Sequence, residues 1–260
     1  MNGINWKDAL LCADACLASY VTNDQARQHI RKYVYNIDEY AEFSSDSAEA
    51  TCLKTTDLDY VIAFRGTDDI SSVLVDLKSW QTNSDTAGEV HFGFKSYVDK
   101  LEVQLFKWLE QYSILESKKR VIVTGHSLGG AAATIFITRL IEKGYKNVCL
   151  YTFGSPRVGD KNWSKQFDDI EAYRIVNNND AVTRIPPPVW FKHVGKLFYI
   201  NYNGVFAQYT WYGRLWDRIR SRIRALFKFQ PFDGIYDHVS KHYRDRVNEQ
   251  VQRIKAHSKP

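Results

Sequence analysis

Arg120-Val121-Ile122-Val123-Thr124-Gly125-His126-Ser127-Leu128-Gly129-Gly130-Ala131-Ala132-Ala133-Thr134 sets the fold of this chain. Its opening is apolar and β-branched and reads as a buried strand. Its end is the small-residue start of a helix running to about Lys143. Between them Gly125–Gly129 fits G-x-S-x-G, a sharp strand-to-helix turn that exposes a serine hydroxyl. Such a turn crowds the backbone, so glycine is needed around the serine. A serine is a weak nucleophile without a base and an oxyanion site beside it. The helix N-terminus behind the turn supplies N–H groups aimed at developing negative charge. A glycine-rich surface turn would match the same five residues; the strand before and the helix after favour the catalytic elbow.

The same alternation extends in both directions. Upstream, an N-terminal helix is expected over roughly Lys7–Tyr20, short strands at Tyr33–Tyr40 and Thr51–Leu53, and a buried strand at Asp59–Phe64. Tyr97, Leu101, Leu105, Trp108 and Leu109 recur at helical spacing within Phe94–Gln111, which predicts one amphipathic helix. Downstream, Val148–Phe153 and Tyr173–Val176 read as further strands. Strands alternating with helices imply an α/β fold with a mostly parallel central sheet, whose active groups gather at the carboxyl ends of the strands. With 260 residues, no internal repeat and no low-complexity linker, a single domain is expected.

The elbow's partners should follow it in the order Ser, acid, His. The acid reads best as Asp180, in Asn177-Asn178-Asn179-Asp180, a polar turn just after a strand and ahead of Pro186 and Pro187. Asp168, Asp169 and Glu171 precede that strand and would lie at its wrong end. The histidines downstream of the serine are His193, His238, His242 and His257, with His238 and His242 one helical turn apart.

Taken together, Phe64-Arg65-Gly66-Thr67, His91-Phe92-Gly93-Phe94, Gly125–Gly130, Thr152–Gly159, Asn179–Pro187 and Asp237-His238 resemble the blocks of the class 3 (fungal-type) lipase family, in that family's order. The resemblance spans roughly Asp59 to Tyr243. It implies the α/β-hydrolase fold and lipid-ester hydrolysis, with Ser127 as nucleophile, Asp180 as orienting acid and His238 as base. It further implies an oxyanion hole from the N–H groups of Leu128 and Thr67. His193, His91 and His126 read as structural groups. Ile70, Val73, Leu74 and Leu77 share one face of a short amphipathic helix, and the resemblance makes this a lid over the site, with interfacial activation to match. Substrates would be acylglycerols, or phospholipids cleaved as by a phospholipase A1. A lipid-binding module without turnover is the reading from another class.

Composition narrows the partners. The formal net charge is +5, and residues 211–229 hold six cations against Asp217, so the rest is balanced. There Tyr212, Leu215, Trp216, Ile219, Ile223, Leu226 and Phe227 fit one helical face and the arginines the other. This basic amphipathic insertion, at about 209–229 and with Trp at its boundary, reads as an interfacial lipid anchor whose membrane-binding residues are Trp211, Trp216, Arg218 and Arg222, or as a helix packed on the domain with a solvated basic face. Nucleic acid is not expected, since no base-reading module accompanies the charge. Cys12, Cys16, Cys52 and Cys149 show neither CxxC nor zinc-ligand spacing, and no phosphate-binding loop appears, so no cofactor or metal is expected. Cys12 and Cys16 should share a helix face as small buried hydrophobes. The N-terminus lacks the features of a secretory signal, which points to a cytoplasmic or peripheral-membrane site, the alternative being a secreted protein with its signal removed.

Overall fold

The computed structural model describes residues 3–21, 24, 25, 28, 37–57, 59–67, 81–227 and 238–257, with residues 222–227 as backbone. Ten strands are described: β1 (Ile37–Ser45), β2 (Ala48–Thr55), β3 (Tyr60–Phe64), β4 (Gln81–Asn83), β5 (Glu89–His91), β6 (Val121–His126), β7 (Val148–Phe153), β8 (Glu171–Asn177), β9 (Lys196–Ile200) and β10 (Phe206–Ala207). The longer helices are α1 (Trp6–Ala18), α2 (Phe92–Asp99), α3 (Glu102–Gln111), α4 (Leu128–Glu142), α5 (Trp211–Phe227) and α6 (Ser240–His257).

Eight strands form one sheet in the order β1-β2-β3-β6-β7-β8-β9-β10, and β4 pairs with β5 apart from it. From β3 to β9 the sheet is parallel, with Phe64 beside Gly125 and His126 beside Phe153. Because side chains alternate, each central strand feeds two cores. Tyr60, Ile62, Phe64 and Val123 pack with the apolar faces of α2, α3 and α4. Val61, Ala63, Ile122, Tyr151 and Ile175 pack on the other side, with α1 and α6. Each large side chain fully buried this way stabilises the fold by about 1.5–3 kcal/mol.

Local details differ from expectation in readable ways. The predicted helix over Phe94–Gln111 is two helices, offset where the Leu101 N–H bonds Val98 O (3.0 Å). Both halves keep their apolar faces in one core, so the periodicity survives the break. The expected strand Tyr33–Tyr40 instead runs as β1 from Ile37 to Ser45, pairing with β2 through Ala48; residues 33–36 lie outside the described residues. Its second half, Ala-Glu-Phe-Ser-Ser, is partly exposed on an edge strand and carries little apolar signal.

Asn5 caps α1 by accepting the Lys7 N–H at 3.0 Å. Arg244 of α6 bonds the buried Asp14 of α1 at 2.8 Å, joining the two helices that cover one sheet face. All four thiols are free and buried. Burial drives the Cys12 thiol well up and that of Cys16 to about 12, so both stay protonated, as small buried hydrophobes should. Among the described residues no helix is long and apolar enough to cross a membrane.

Candidate active site

Ser127 stands between β6 and α4 with φ 58° and ψ −128°, a backbone region that L-residues seldom occupy and that costs about 1–3 kcal/mol. Its surroundings hold it there. The Ser127 N–H bonds Phe153 O of β7 (3.0 Å), and its carbonyl accepts from Gly130 N (3.0 Å). A Cβ on Gly125 would meet Gly129 O at 2.1 Å, and one on Gly129 would meet Phe64 O at 2.0 Å, so only glycine fits at either place. The serine is fully buried and its Oγ has no hydrogen-bond partner.

Asp180 lies in the turn that follows β8, with its N–H bonded to Asn177 O (3.0 Å). Its Oδ1 accepts from Val182 N (2.9 Å). Its Oδ2 accepts from His238 Nδ1 (2.9 Å) and from the Tyr243 hydroxyl (2.5 Å). A carboxylate only accepts, so the imidazole carries its proton on Nδ1 and Nε2 is left as an acceptor. That Nε2 is buried and unpartnered, as is Ser127 Oγ. Gly154 ties the pair to the elbow. It follows the Phe153 carbonyl that Ser127 uses, and a Cβ there would lie 2.7 Å from Asp180 Oδ2 and 3.1 Å from the His238 ring. Ser127, His238 and Asp180 thus share the carboxyl edge of β6, β7 and β8.

Two further groups steady His238 and its carboxylate partner. His126 stacks on His238 with ring centroids 4.5 Å apart, and its Nε2 donates to His238 O at 2.6 Å. Its Nδ1 must then accept, and the Tyr20 hydroxyl donates to it at 2.8 Å. Burial, followed by the nearby His238, holds the His126 pKa well below the usual histidine value, so its ring is neutral. The second group, Tyr243, escaped the sequence reading. Tyr243, Val247 and Val251 form an i, i+4, i+8 stripe that looks like core, and all three are buried. Tyr243 also accepts the Asn177 N–H (2.9 Å), bracing the turn that carries Asp180. Tyr243→Phe should lower kcat about 10–100-fold, the worth of one hydrogen bond to a charged group, with little change in KM. Steady-state kinetics checks this; an unaltered kcat would reduce Tyr243 to packing.

Thr67 follows β3 by three residues, half-buried. A Cβ on its neighbour Gly66 would meet His126 O at 2.6 Å, so this segment runs against the elbow. Leu128 is the first residue of α4, where N–H groups lack intrahelical acceptors. Ile70, Val73, Leu74 and Leu77, expected to form a lid, lie outside the described residues, as does Asp237. His242 sits on α6, and Asp180 bonds His238 rather than it. His193 Nε2 bonds Thr183 O (2.8 Å), and His91 packs on Phe94 (4.4 Å). A cavity of about 650 Å³ opens at the opposite end of the sheet, lined in part by Lys165, Glu171 and Lys196, and none of the three candidate catalytic residues borders it.

The basic insertion forms α5, and it does not pack on the domain with its apolar face inward and a solvated basic face. Its polar side faces the domain: Asp217 is buried and accepts from the Tyr199 hydroxyl (2.9 Å) and Tyr202 N (3.1 Å). Trp211 (58% exposed), Tyr212, Leu215 and Trp216 (62%) face outward, near-continuous along the helix. Arg218 is half-buried on the inner side, and the Arg222 side chain lies outside the described residues.

A family model described as Lipase (class 3) matches residues 61–190. The chain is 29% identical over 156 residues to Secreted mono- and diacylglycerol lipase 1 of Fusarium solani, covering 58% of this chain and 46% of that protein. It is 34% identical over 155 residues to Phospholipase A1-II 1 of Oryza sativa subsp. indica, covering 49% and 39%. The chain therefore matches less than half the length of these curated relatives. Among solved structures, the lipase from Rhizopus microsporus var. chinensis superposes with a TM-score of 0.66 at 27% identity, over 75% of this chain and 74% of that one.

Proposed function

The chain belongs to the class 3 lipase family, and from that premise we propose that it hydrolyses carboxylic esters of lipids through an acyl-enzyme. The observation that carries this reading is the Asp180–His238 bond, which leaves Nε2 as a free acceptor in a site that also holds the unpartnered Ser127 Oγ. His238 takes the serine proton as Oγ attacks the ester carbonyl. Leu128 N–H and Thr67 meet the oxyanion of the tetrahedral intermediate. Its collapse expels the alcohol, which takes the proton from Nε2. Water then attacks the acyl-enzyme, giving its proton to His238; the Oγ–acyl bond breaks, Oγ takes that proton back from Nε2, and the fatty acid leaves. A binding module without turnover would have no need of the strained Ser127 backbone or of a carboxylate aimed at a buried imidazole.

Acylglycerols are the substrates this reading favours. The phospholipase A1 likeness and the cations near α5 support a second reading, cleavage of anionic phospholipids. The face that meets lipid is taken to be the outer side of α5, where Trp211, Tyr212, Leu215 and Trp216 are exposed. The fungal relative is secreted by its own name, which supports an extracellular site as the alternative to a peripheral one. One assay series tests these points: emulsified triacylglycerol, anionic phospholipid vesicles and a short soluble ester. Trp211→Ser combined with Trp216→Ser should slow hydrolysis of the aggregated substrates about tenfold or more and leave the soluble ester nearly unchanged. Equal losses on all three would remove α5 from lipid contact, and no hydrolysis of any ester would overturn the enzyme reading.

A further inference from the structure

Asp180 is the last residue of a four-residue turn. Its N–H bonds Asn177 O, which leaves Asn178 and Asn179 as the two central residues. The carboxylate is therefore aimed only as firmly as those two residues are held. Asn179 is held from the downstream side, where Arg184 Nη2 donates to its carbonyl (3.1 Å) and to its Oδ1 (3.2 Å). Asn178 is held from β9. Its N–H bonds Ile200 O (2.9 Å), and its side-chain amide lies 3.0 Å from the Tyr199 hydroxyl. Phe198 and Ile200 of β9 belong to the α1/α6 core, so the Tyr199 side chain between them emerges on the opposite face of the sheet. There the hydroxyl also lies 2.9 Å from Asp217 Oδ2 of α5.

That hydroxyl has one proton and two neighbours. The carboxylate is the stronger acceptor and takes it, and the Asn178 amide meets the hydroxyl oxygen with its NH₂ end. Tyr202 N–H fixes the same Asp217 Oδ2 at 3.1 Å. A chain of side chains thus runs from the inner face of α5 to the turn of Asp180, through Asp217 (4% exposed), Tyr199 (2%) and Asn178 (3%). Shut off from bulk water, each link is costly to leave unmade, so the chain holds its two ends in register. We propose that Asp217 is a positioning residue for the ester hydrolysis proposed above, on which this role rests. Through Tyr199 it fixes Asn178, and with it the turn that points Asp180 at His238. The route complements Tyr243, which reaches the same turn from α6 by accepting the Asn177 N–H. It gives the two faces of α5 different work, the outer one toward lipid and the inner one toward the acid.

Kinetics of the full chain on a short soluble ester test it, because such a substrate keeps lipid contact out of the measurement. Competent sites are counted by fluorophosphonate titration, so that kcat refers to folded enzyme only. Asp217→Ala and Tyr199→Phe should each lower kcat about 5–20-fold with KM within about twofold, as expected of a misaimed catalytic group. Tyr199→Phe removes one oxygen and keeps the ring, so it serves where Asp217→Ala folds poorly. Asp217→Asn should recover most of the rate, since its amide oxygen can still accept from Tyr199 and from Tyr202 N. The double variant Tyr199→Phe with Asp217→Ala should fall no more than about twofold below either single one, because both break one chain. A parent that cleaves no ester overturns the enzyme reading itself. With an active parent, an unchanged kcat per titrated site in Tyr199→Phe would overturn the positioning role alone, even if Tm had dropped. So would an Asp217→Asn protein as slow as Asp217→Ala, or a double variant showing the product of the two single losses.

Discussion

Ser127→Ala is expected to lower kcat for ester hydrolysis by about 10⁶-fold, the loss seen when a triad nucleophile is removed. The variant should fold as the parent does, for reasons visible in the elbow. Ser127 Oγ makes no hydrogen bond, so none is forfeited. The backbone at φ 58° is strained through its Cβ, which alanine retains unchanged. Tm should therefore move by less than about 2 °C while turnover vanishes, and labelling by a fluorophosphonate probe should vanish with it. Hydrolysis surviving within a factor of ten would mean that another residue attacks the ester.

Asp180→Asn should cost about 10³–10⁴ in kcat. Every group around this carboxylate donates: Val182 N to Oδ1, His238 Nδ1 and the Tyr243 hydroxyl to Oδ2. An amide can satisfy only one side. With its oxygen toward Val182, its NH₂ confronts two donors, and the imidazole is driven to carry its proton on Nε2, where it cannot accept from serine. With its oxygen toward His238, the buried Val182 N–H faces another N–H. The first arrangement loses the tautomer and the second strains the turn, so kcat should fall while KM stays within about threefold. Rates measured alongside Tm separate this from unfolding. Turnover near normal in a folded variant would mean that His238 is oriented by some other acid.

The sequence carried much of this before any coordinate did, for identifiable reasons. β6, the elbow and the start of α4 are legible because apolar run, glycine-bounded turn and small-residue helix follow in one short stretch. Asp180 is legible as a candidate acid just after β8. His238 is not separable from His242 by spacing alone; the neighbouring motif blocks favour it, and its bond to Asp180 agrees. Tyr243 stays hidden because a hydroxyl at the end of a core aromatic leaves no trace in periodicity. The orientation of α5 stays hidden for a related reason. A helical pattern says which residues share a face, not which face turns inward. The one clue was Asp217, a lone acid among arginines, and it is the residue that docks the helix.

The outward apolar face of α5 has an optical consequence. Trp6, Trp108 and Trp163 are buried, whereas Trp211 and Trp216 on α5, and Trp190 in the loop before β9, are exposed. Indole emission moves to shorter wavelength as its surroundings lose water, so among the described residues the indole emitters divide into a dry population and a wet one. The α5 members of the wet population report from the face assigned to lipid, and the unmodified chain thereby carries its own spectroscopic gauge of whether that face is covered.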